Sequence, residues 1–407
     1  MSGVGPRVAV IGAGAFGGWS ALWLRRRGAR VTLVDARGAG HIHASSGGAT
    51  RVNRALYGSN AAAMRLAIRS TVLWKEEQKR LGVELYRERG VLWMTTTGDD
   101  SYLRAALPLL DEAGRRYEEM TPAAAAKRYP VMAFDDVRRV VLEPQAGILL
   151  ARRACETVAR QVAVEGGTVF EGEALLPWKD GEARTRSAHL DAVTLRDGRR
   201  LEADQFVFAL GPWLPAFFPD LLGGWIRPTR QDLFTFSTPS GDDRFGDDRL
   251  PTWIDLGESL RYGIPGTAAA HAGAAGAADA GPARGMKFGD DARGPGFDPT
   301  TGDRTPDAAG ERAARAYLSR RFPRLTDAPL ESAQVCQYEC TPDNQYLVDR
   351  HPRAANLLIA GGGSGHGFKN GPAVGDLVAA IVLGQRPLDP AFRLGRFPDA
   401  AKDGSGT

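Results

Sequence analysis

Cysteine is scarce in this chain. There are three among 407 residues, Cys155, Cys336 and Cys340. So few, and an odd number, argue against a disulfide framework and fit a reducing compartment. Long apolar runs are also missing. No stretch approaches the roughly 18 residues that a membrane-spanning helix needs. The N-terminus enters an apolar strand almost at once, which leaves no space for a signal peptide. Charge of one sign is not concentrated anywhere. Lys and Arg number 52 against 48 Asp and Glu, a formal net charge of +4. The signs are interspersed, which argues against nucleic acid as a partner. There is no internal repeat, and no residues are assigned to a metal. The expectation is a soluble, cytoplasmic protein with neither a membrane nor a nucleic-acid partner.

What is present begins with apolar residues, 43% of the chain, enough for packed cores at this length. The most informative stretch is Val8-Ala-Val-Ile-Gly12-Ala-Gly14-Ala-Phe16-Gly17. A buried strand leads into Gly12-X-Gly14-X-X-Gly17, then a helical pattern from Trp19 to Arg27, then a second strand that ends at Asp35. A dinucleotide needs this order. Gly12 permits the turn, Gly14 lets backbone approach a pyrophosphate, and Gly17 lets helix and strand pack closely. The helix N-terminus offers free N–H groups to phosphates. Asp35, roughly 20 residues on, can accept from a ribose hydroxyl. The fingerprint alone does not choose between NAD and FAD.

The strand-like run Gln205 to Leu210 breaks at Gly211-Pro-Trp213, where a second segment can approach a nucleotide. A third strand, Ala355 to Ala360, leads into Gly361-Gly-Gly-Ser-Gly-His-Gly-Phe-Lys369 and a helix from Pro372 to Leu383. Two glycine turns at opposite ends of the chain suit one long cofactor, which favours FAD. Between them the periodicity predicts helices over 66–81, 101–116, 121–128, 150–166 and 310–322, with strands interspersed. Residues 266–285 are nearly all Gly and Ala and bury too little to order themselves, so a flexible loop is expected there. A disordered tail is expected over 398–407.

Four segments together resemble the monomeric sarcosine oxidase family of FAD-dependent amine oxidases, within the D-amino acid oxidase superfamily. They are the fingerprint with Asp35; Gly48-Ala-Thr-Arg51-Val-Asn-Arg54-Ala-Leu-Tyr57-Gly58; Gly285-Met-Lys287-Phe-Gly; and Cys336-Gln-Tyr338-Glu-Cys-Thr-Pro-Asp343 running on to Gly363-Ser-Gly-His366-Gly-Phe-Lys369. The resemblance implies an α/β, two-domain flavoprotein with a Rossmann-like FAD-binding domain and a mixed β-sheet substrate domain. It implies FAD binding through 1–85, 145–222 and 333–397, with 86–144 and 223–332 forming the substrate domain.

The same resemblance implies site roles. Gly12, Gly14, Phe16, Gly17, Asp35, Ser45, Thr50, Arg51, Gly363, Gly365, Gly367 and Lys369 would contact FAD. Cys336 would carry it covalently as an 8α-S-cysteinyl link. Lys287 would activate O2, with Arg51, His366 and Asp291 also in the catalytic set. Arg54 and Lys369 would hold a substrate carboxylate, and Tyr262 and Tyr338 would line the pocket. The expected reaction is oxidation of the C–N bond of a secondary amino acid to an imine, with O2 reduced to H2O2 by a monomeric enzyme. Fructosyl amino acid oxidation and primary amino acid oxidation are the alternatives within the fold. A flavin dehydrogenase with another acceptor, or a redox-inactive FAD-binding protein, are alternatives of another class. The chain departs from the family pattern at Ser45-Ser46-Gly47 and at Asp291, both positions where the family carries histidine. An acid at 291 puts sarcosine itself in doubt and leans towards the fructosyl group.

Overall fold

A computed structural model describes residues 5–176, 189–266 and 285–397. The expected Gly/Ala loop, apart from its end residues Gly266 and Gly285, and the expected 398–407 tail lie outside these residues. Two large sheets organise the rest. The first has six strands in the order Leu347–His351, Ala354–Gly361, Gln205–Phe208, Arg7–Ile11, Arg30–Asp35, Thr168–Glu171. All neighbours are parallel except the first pair. Val8, Val10 and Ile11 are buried, as a central parallel strand with both faces covered must be.

The helix Ala15–Arg26 follows the first strand directly. Its small residues set how closely its neighbours lie. A Cβ on Gly375 of the helix Gly371–Val382 would sit 2.6 Å from the Trp19 backbone. A Cβ on Gly18 would sit 3.4 Å from Val158 in the helix Ala151–Val164. The Trp23 indole N–H donates to the Pro372 carbonyl at 3.0 Å. This close packing brings both glycine turns together at the carboxyl ends of the parallel strands.

The second sheet has eight strands in the order Leu330–Cys340, Arg227–Phe236, Met286–Asp290, Leu260–Ile264, Thr252–Leu256, Val91–Thr95, Arg139–Glu143, Glu118–Met120. It is antiparallel except where Thr252–Leu256 meets Val91–Thr95. The helix Ala308–Arg321 supplies Ala314, Tyr317 and Leu318 to the core on one face. Leu103, Leu107 and Leu110 of the helix Ser101–Glu112 cover the other. The strand Leu330–Cys340 pairs along its length with Arg227–Phe236, so Cys336 rides on an edge strand of this second sheet. A third, small sheet joins Thr50–Asn53 and Tyr86–Glu88 to opposite edges of Gly147–Leu150. Among the described residues no helix is long and apolar enough to cross a membrane.

Candidate active site

One long cleft runs past the edge of the six-stranded sheet, with a cavity of about 520 Å³. Asp35, Ala36 and Arg37 line one end; Gly12, Gly14 and Gly211–Trp213 line the middle; Cys336, Tyr338, Gly363, Gly365, Gly367 and Phe368 line the other. The turn geometry explains the glycines. Gly12 has φ +102°, and a Cβ there would meet the Ala209 carbonyl oxygen at 2.3 Å. A Cβ on Gly17 would lie 1.8 Å from the Gly12 oxygen. Gly14 differs, because its Cβ would meet only Ser46 Oγ at 3.4 Å and would otherwise occupy the cleft. Gly14 is also the N-cap of the first helix and supplies no side-chain cap, so the first-turn N–H groups remain available to an anion. Asp35 fixes the turn by accepting from the Ala13 N–H at 2.8 Å and the Arg37 N–H at 2.9 Å.

These features fit an FAD. The cleft carries helix N–H donors with no side-chain cap beside an acidic strand end, and glycines from both turns line it. Phe16 packs under the C-terminal turn: a Cβ on Gly367 would touch its ring at 3.1 Å. Gly365 has φ +82° and lies against the Tyr338 ring, which a Cβ would approach to 2.7 Å. Glu339 is the unexpected member of this lining. Its carboxylate accepts from the Gly362 N–H at 2.6 Å and makes no ion pair among the described residues. Burial pushes its pKa up to about 7, against the pull of the Gly362 and Gly363 N–H groups.

Ser45, Arg51 and Cys336 meet where the cleft passes between the sheets. Arg51 donates to the Thr50 and Ser45 carbonyl oxygens, and its Nη2 lies 3.8 Å from Cys336 Sγ. Lys287 is almost fully buried. Its Nζ donates to the Thr50 carbonyl at 3.0 Å. Burial, and then the Arg51 charge, lower its pKa to about 7. Cys340 lies apart, 3.6 Å from Thr229 Oγ1. Cys155 is buried in its helix, and none of the three cysteines is paired.

A second group of side chains lies beside the cleft. Arg54 and Lys369 both flank Tyr57, with their charged ends 4.6 and 5.0 Å from its ring centre. Arg54 donates to the Leu56 carbonyl at 2.5 Å, and Lys369 to the His366 carbonyl at 3.0 Å. Neither makes an ion pair among the described residues. Burial, aggravated by Arg54, holds Lys369 well below the usual lysine range. His366 Nε2 lies 2.9 Å from the Asn344 carbonyl, so it must be the N–H nitrogen. Its Nδ1 then accepts from the Tyr57 and Tyr346 hydroxyls at 3.2 and 3.0 Å. Burial and the neighbouring Lys369 keep this imidazole neutral. Asp291 accepts from the Tyr338 hydroxyl at 2.8 Å, and burial raises its pKa. Tyr262 lies across from Gly289, whose Cβ would strike its ring at 2.6 Å.

The residues named from sequence thus fall into two adjoining sets. Gly12, Gly14, Phe16, Asp35, Ser45, Arg51, Cys336, Tyr338, Gly363, Gly365 and Gly367 line the cleft. Gly17 supports it from behind. Lys287 and Lys369, which are buried, and Arg54, Tyr262, Asp291 and His366, which are half-buried, form the neighbouring set. Thr50 joins the two through its carbonyl oxygen. Sequence reasoning assigns no role to Tyr57, Glu339, Tyr346, Asn370 or Arg293. Tyr57 and Glu339 lie inside the quoted motifs, which is the only signal they give.

Residues 7–381 match the family described as DAO, FAD dependent oxidoreductase. The chain is 25% identical over 379 residues to the monomeric sarcosine oxidase of Bacillus sp. (strain NS-129), covering 92% of each. It is 24% identical over 398 residues to the N-methyl-L-tryptophan oxidase of Yersinia pestis (strain Pestoides F), covering 95% of this chain and 98% of that one. The solved structure of fructosamine oxidase (Amadoriase II) from Aspergillus fumigatus superposes with a TM-score of 0.78 at 20% identity, over 99% of this chain and 92% of its own, and so shares the fold.

Proposed function

This chain belongs to the DAO family of FAD-dependent oxidoreductases, and from that premise we propose that it oxidises the C–N bond of a secondary amino acid to an imine with O2 as acceptor. Atoms balance as amine plus O2 giving imine plus H2O2, and water later hydrolyses the imine. The observation that carries the reading is the pair Arg54 and Lys369. Arg54 and Lys369 flank one tyrosine ring and make no ion pair among the described residues, so a substrate carboxylate would find both free to meet it. Arginine offers two-point contact and lysine a point charge. A bound carboxylate favours the charged form of Lys369, so substrate binding draws in a proton.

FAD, when bound, supplies the two-electron acceptor for the substrate. The chain's own residues do the rest. Tyr57 and His366 hold Lys369 in place, and the buried setting excludes water. Lys287 brings a positive charge to the place where reducing oxygen accumulates negative charge. Cys336 lines the cleft with its Sγ 3.8 Å from Arg51 Nη2, and would hold the FAD through a thioether at the 8α-methyl carbon. Asp291 supports a second reading. A buried carboxyl beside two cations accommodates a substrate with a hydroxyl-bearing or basic arm, as a glycated amino acid has. A peroxide-release screen over N-methyl, cyclic, primary and glycated amino acids tests both. Absence of peroxide from every class, with a flavin still reducible by substrate, overturns the oxidase.

A further inference from the structure

We propose that Arg293 is a positioning residue for the substrate-carboxylate site, acting through the loop that presents His366 and Lys369. The proposal deepens the amine-oxidase reading and rests on it. Arg293 lies just beyond the strand Met286–Asp290, in the loop that also carries Asp291. Its side chain crosses to the C-terminal glycine turn. Nη1 donates to the Ser364 carbonyl at 3.0 Å and Nη2 to Asn344 Oδ1 at 2.8 Å.

Those two partners are the only non-glycine residues with positive φ among the described residues, Asn344 at 56° and Ser364 at 46°. A serine in the left-handed region costs energy and persists only where its surroundings hold it. Both partners lead directly to the substrate site. The Asn344 carbonyl accepts from His366 Nε2 at 2.9 Å, and the His366 carbonyl accepts from Lys369 Nζ at 3.0 Å. The Arg293 guanidinium also lies over the Tyr338 ring, 5.4 Å from its centre, and that tyrosine donates to Asp291. One exposed side chain therefore ties the strand of Lys287, the pocket acid and the loop of Lys369 together. A planar fork spans the Ser364 and Asn344 acceptors at once, whereas a lysine ammonium has no such fork.

The test uses the holoenzyme with Arg293→Ala and Arg293→Lys. Acetate is titrated and followed by its perturbation of the flavin absorbance, and backbone hydrogen exchange is measured over residues 363–370. Arg293→Ala should weaken acetate about tenfold, the size of one lost charge-assisted hydrogen bond. KM should rise by a similar factor while kcat falls less than about threefold, and exchange over 363–370 should speed up severalfold. Arg293→Lys should lie between. Acetate affinity and exchange both within twofold of wild type in Arg293→Ala overturn the proposal. So does a drop in thermal stability with acetate affinity unchanged, which marks a merely structural contact. A wild-type spectrum that acetate does not perturb counts against the amine-oxidase reading instead, and the exchange measurement then decides the role of Arg293 alone.

Discussion

Lys287 and Arg51 share one acceptor. The Thr50 carbonyl oxygen lies 3.0 Å from Lys287 Nζ and 2.8 Å from Arg51 Nη1. Two cations converge on a single neutral oxygen in a buried place, and the lysine is the one that yields. Burial first, and then the Arg51 charge, lower its pKa to about 7. A positive charge at Lys287 is therefore conditional. It is present below about pH 7 and is lost as pH rises past that value, or somewhat higher once negative charge lies beside it.

Replacing Lys287 with Met should slow flavin reoxidation by O2 at least about 100-fold, the usual scale for removing one preorganised electrostatic group. Flavin reduction by substrate should slow far less. Stopped-flow measurement of the two half-reactions separates them, and equal slowing sinks the assignment. The wild-type reoxidation rate should also fall as pH rises through the lysine's titration. Lys287→Arg should keep a flat profile over the same range.

Arg54 and Lys369 make a different prediction, because their charge acts on the substrate. Arg54→Ala should raise KM for an amino acid substrate by about 100-fold or more, since it leaves a buried carboxylate with a single partner. An amine of similar shape without a carboxylate should lose little. Parallel losses for both substrates would show that Arg54 supports the fold and not recognition.

The pattern of elements is legible where local chemistry dictates them. Gly12, Gly14 and Gly17 each occupy a position where a Cβ would clash or fill the cleft, so the sequence there has few alternatives. Periodicity predicts a helix over 150–166, and the structure has it as Ala151–Val164, with Leu150 ending the strand Gly147–Leu150 before it. A run as short as Gly147–Leu150 fits either form, and its pairing with Thr50–Asn53 and Tyr86–Glu88 decides. The edge strand Leu330–Cys340 has no clear strand pattern, because two of the three residues it buries, Gln337 and Glu339, are polar. The helix Ala61–Leu81 begins earlier than the apolar pattern from Leu66 implies, and Asn60 caps it by accepting from Ala63. The site charges are legible through family likeness and not through local pattern. Arg293 gives no signal at all, since its partners lie 51 and 71 residues away in sequence.

The flavin link through Cys336 is checked by acid precipitation. Wild-type protein should carry its yellow colour into the pellet, and Cys336→Ser should leave it in the supernatant. Cys340→Ser should behave as wild type, since Cys340 lies against Thr229 and away from the cleft lining. Colour in the supernatant for the wild type removes the covalent assignment while leaving FAD binding intact.

Glu339 predicts a stability that falls as pH rises. Its pKa is raised from 4.5 to about 7 by burial. The folded chain therefore keeps this proton up to about pH 7, while the unfolded chain releases it near 4.5. The stability that the neutral carboxyl contributes is whole below pH 4.5 and is lost as pH rises from there through 7. Each tenfold change in proton affinity corresponds to about 1.4 kcal/mol, so the loss is at most about 3.5 kcal/mol. Glutamine keeps an acceptor for the Gly362 N–H but has no charge to bury. The melting temperature of Glu339→Gln, measured relative to wild type, should therefore improve by a few degrees between about pH 5 and pH 8. An identical difference at both pH values would show that Glu339 titrates alike in the folded and unfolded chain.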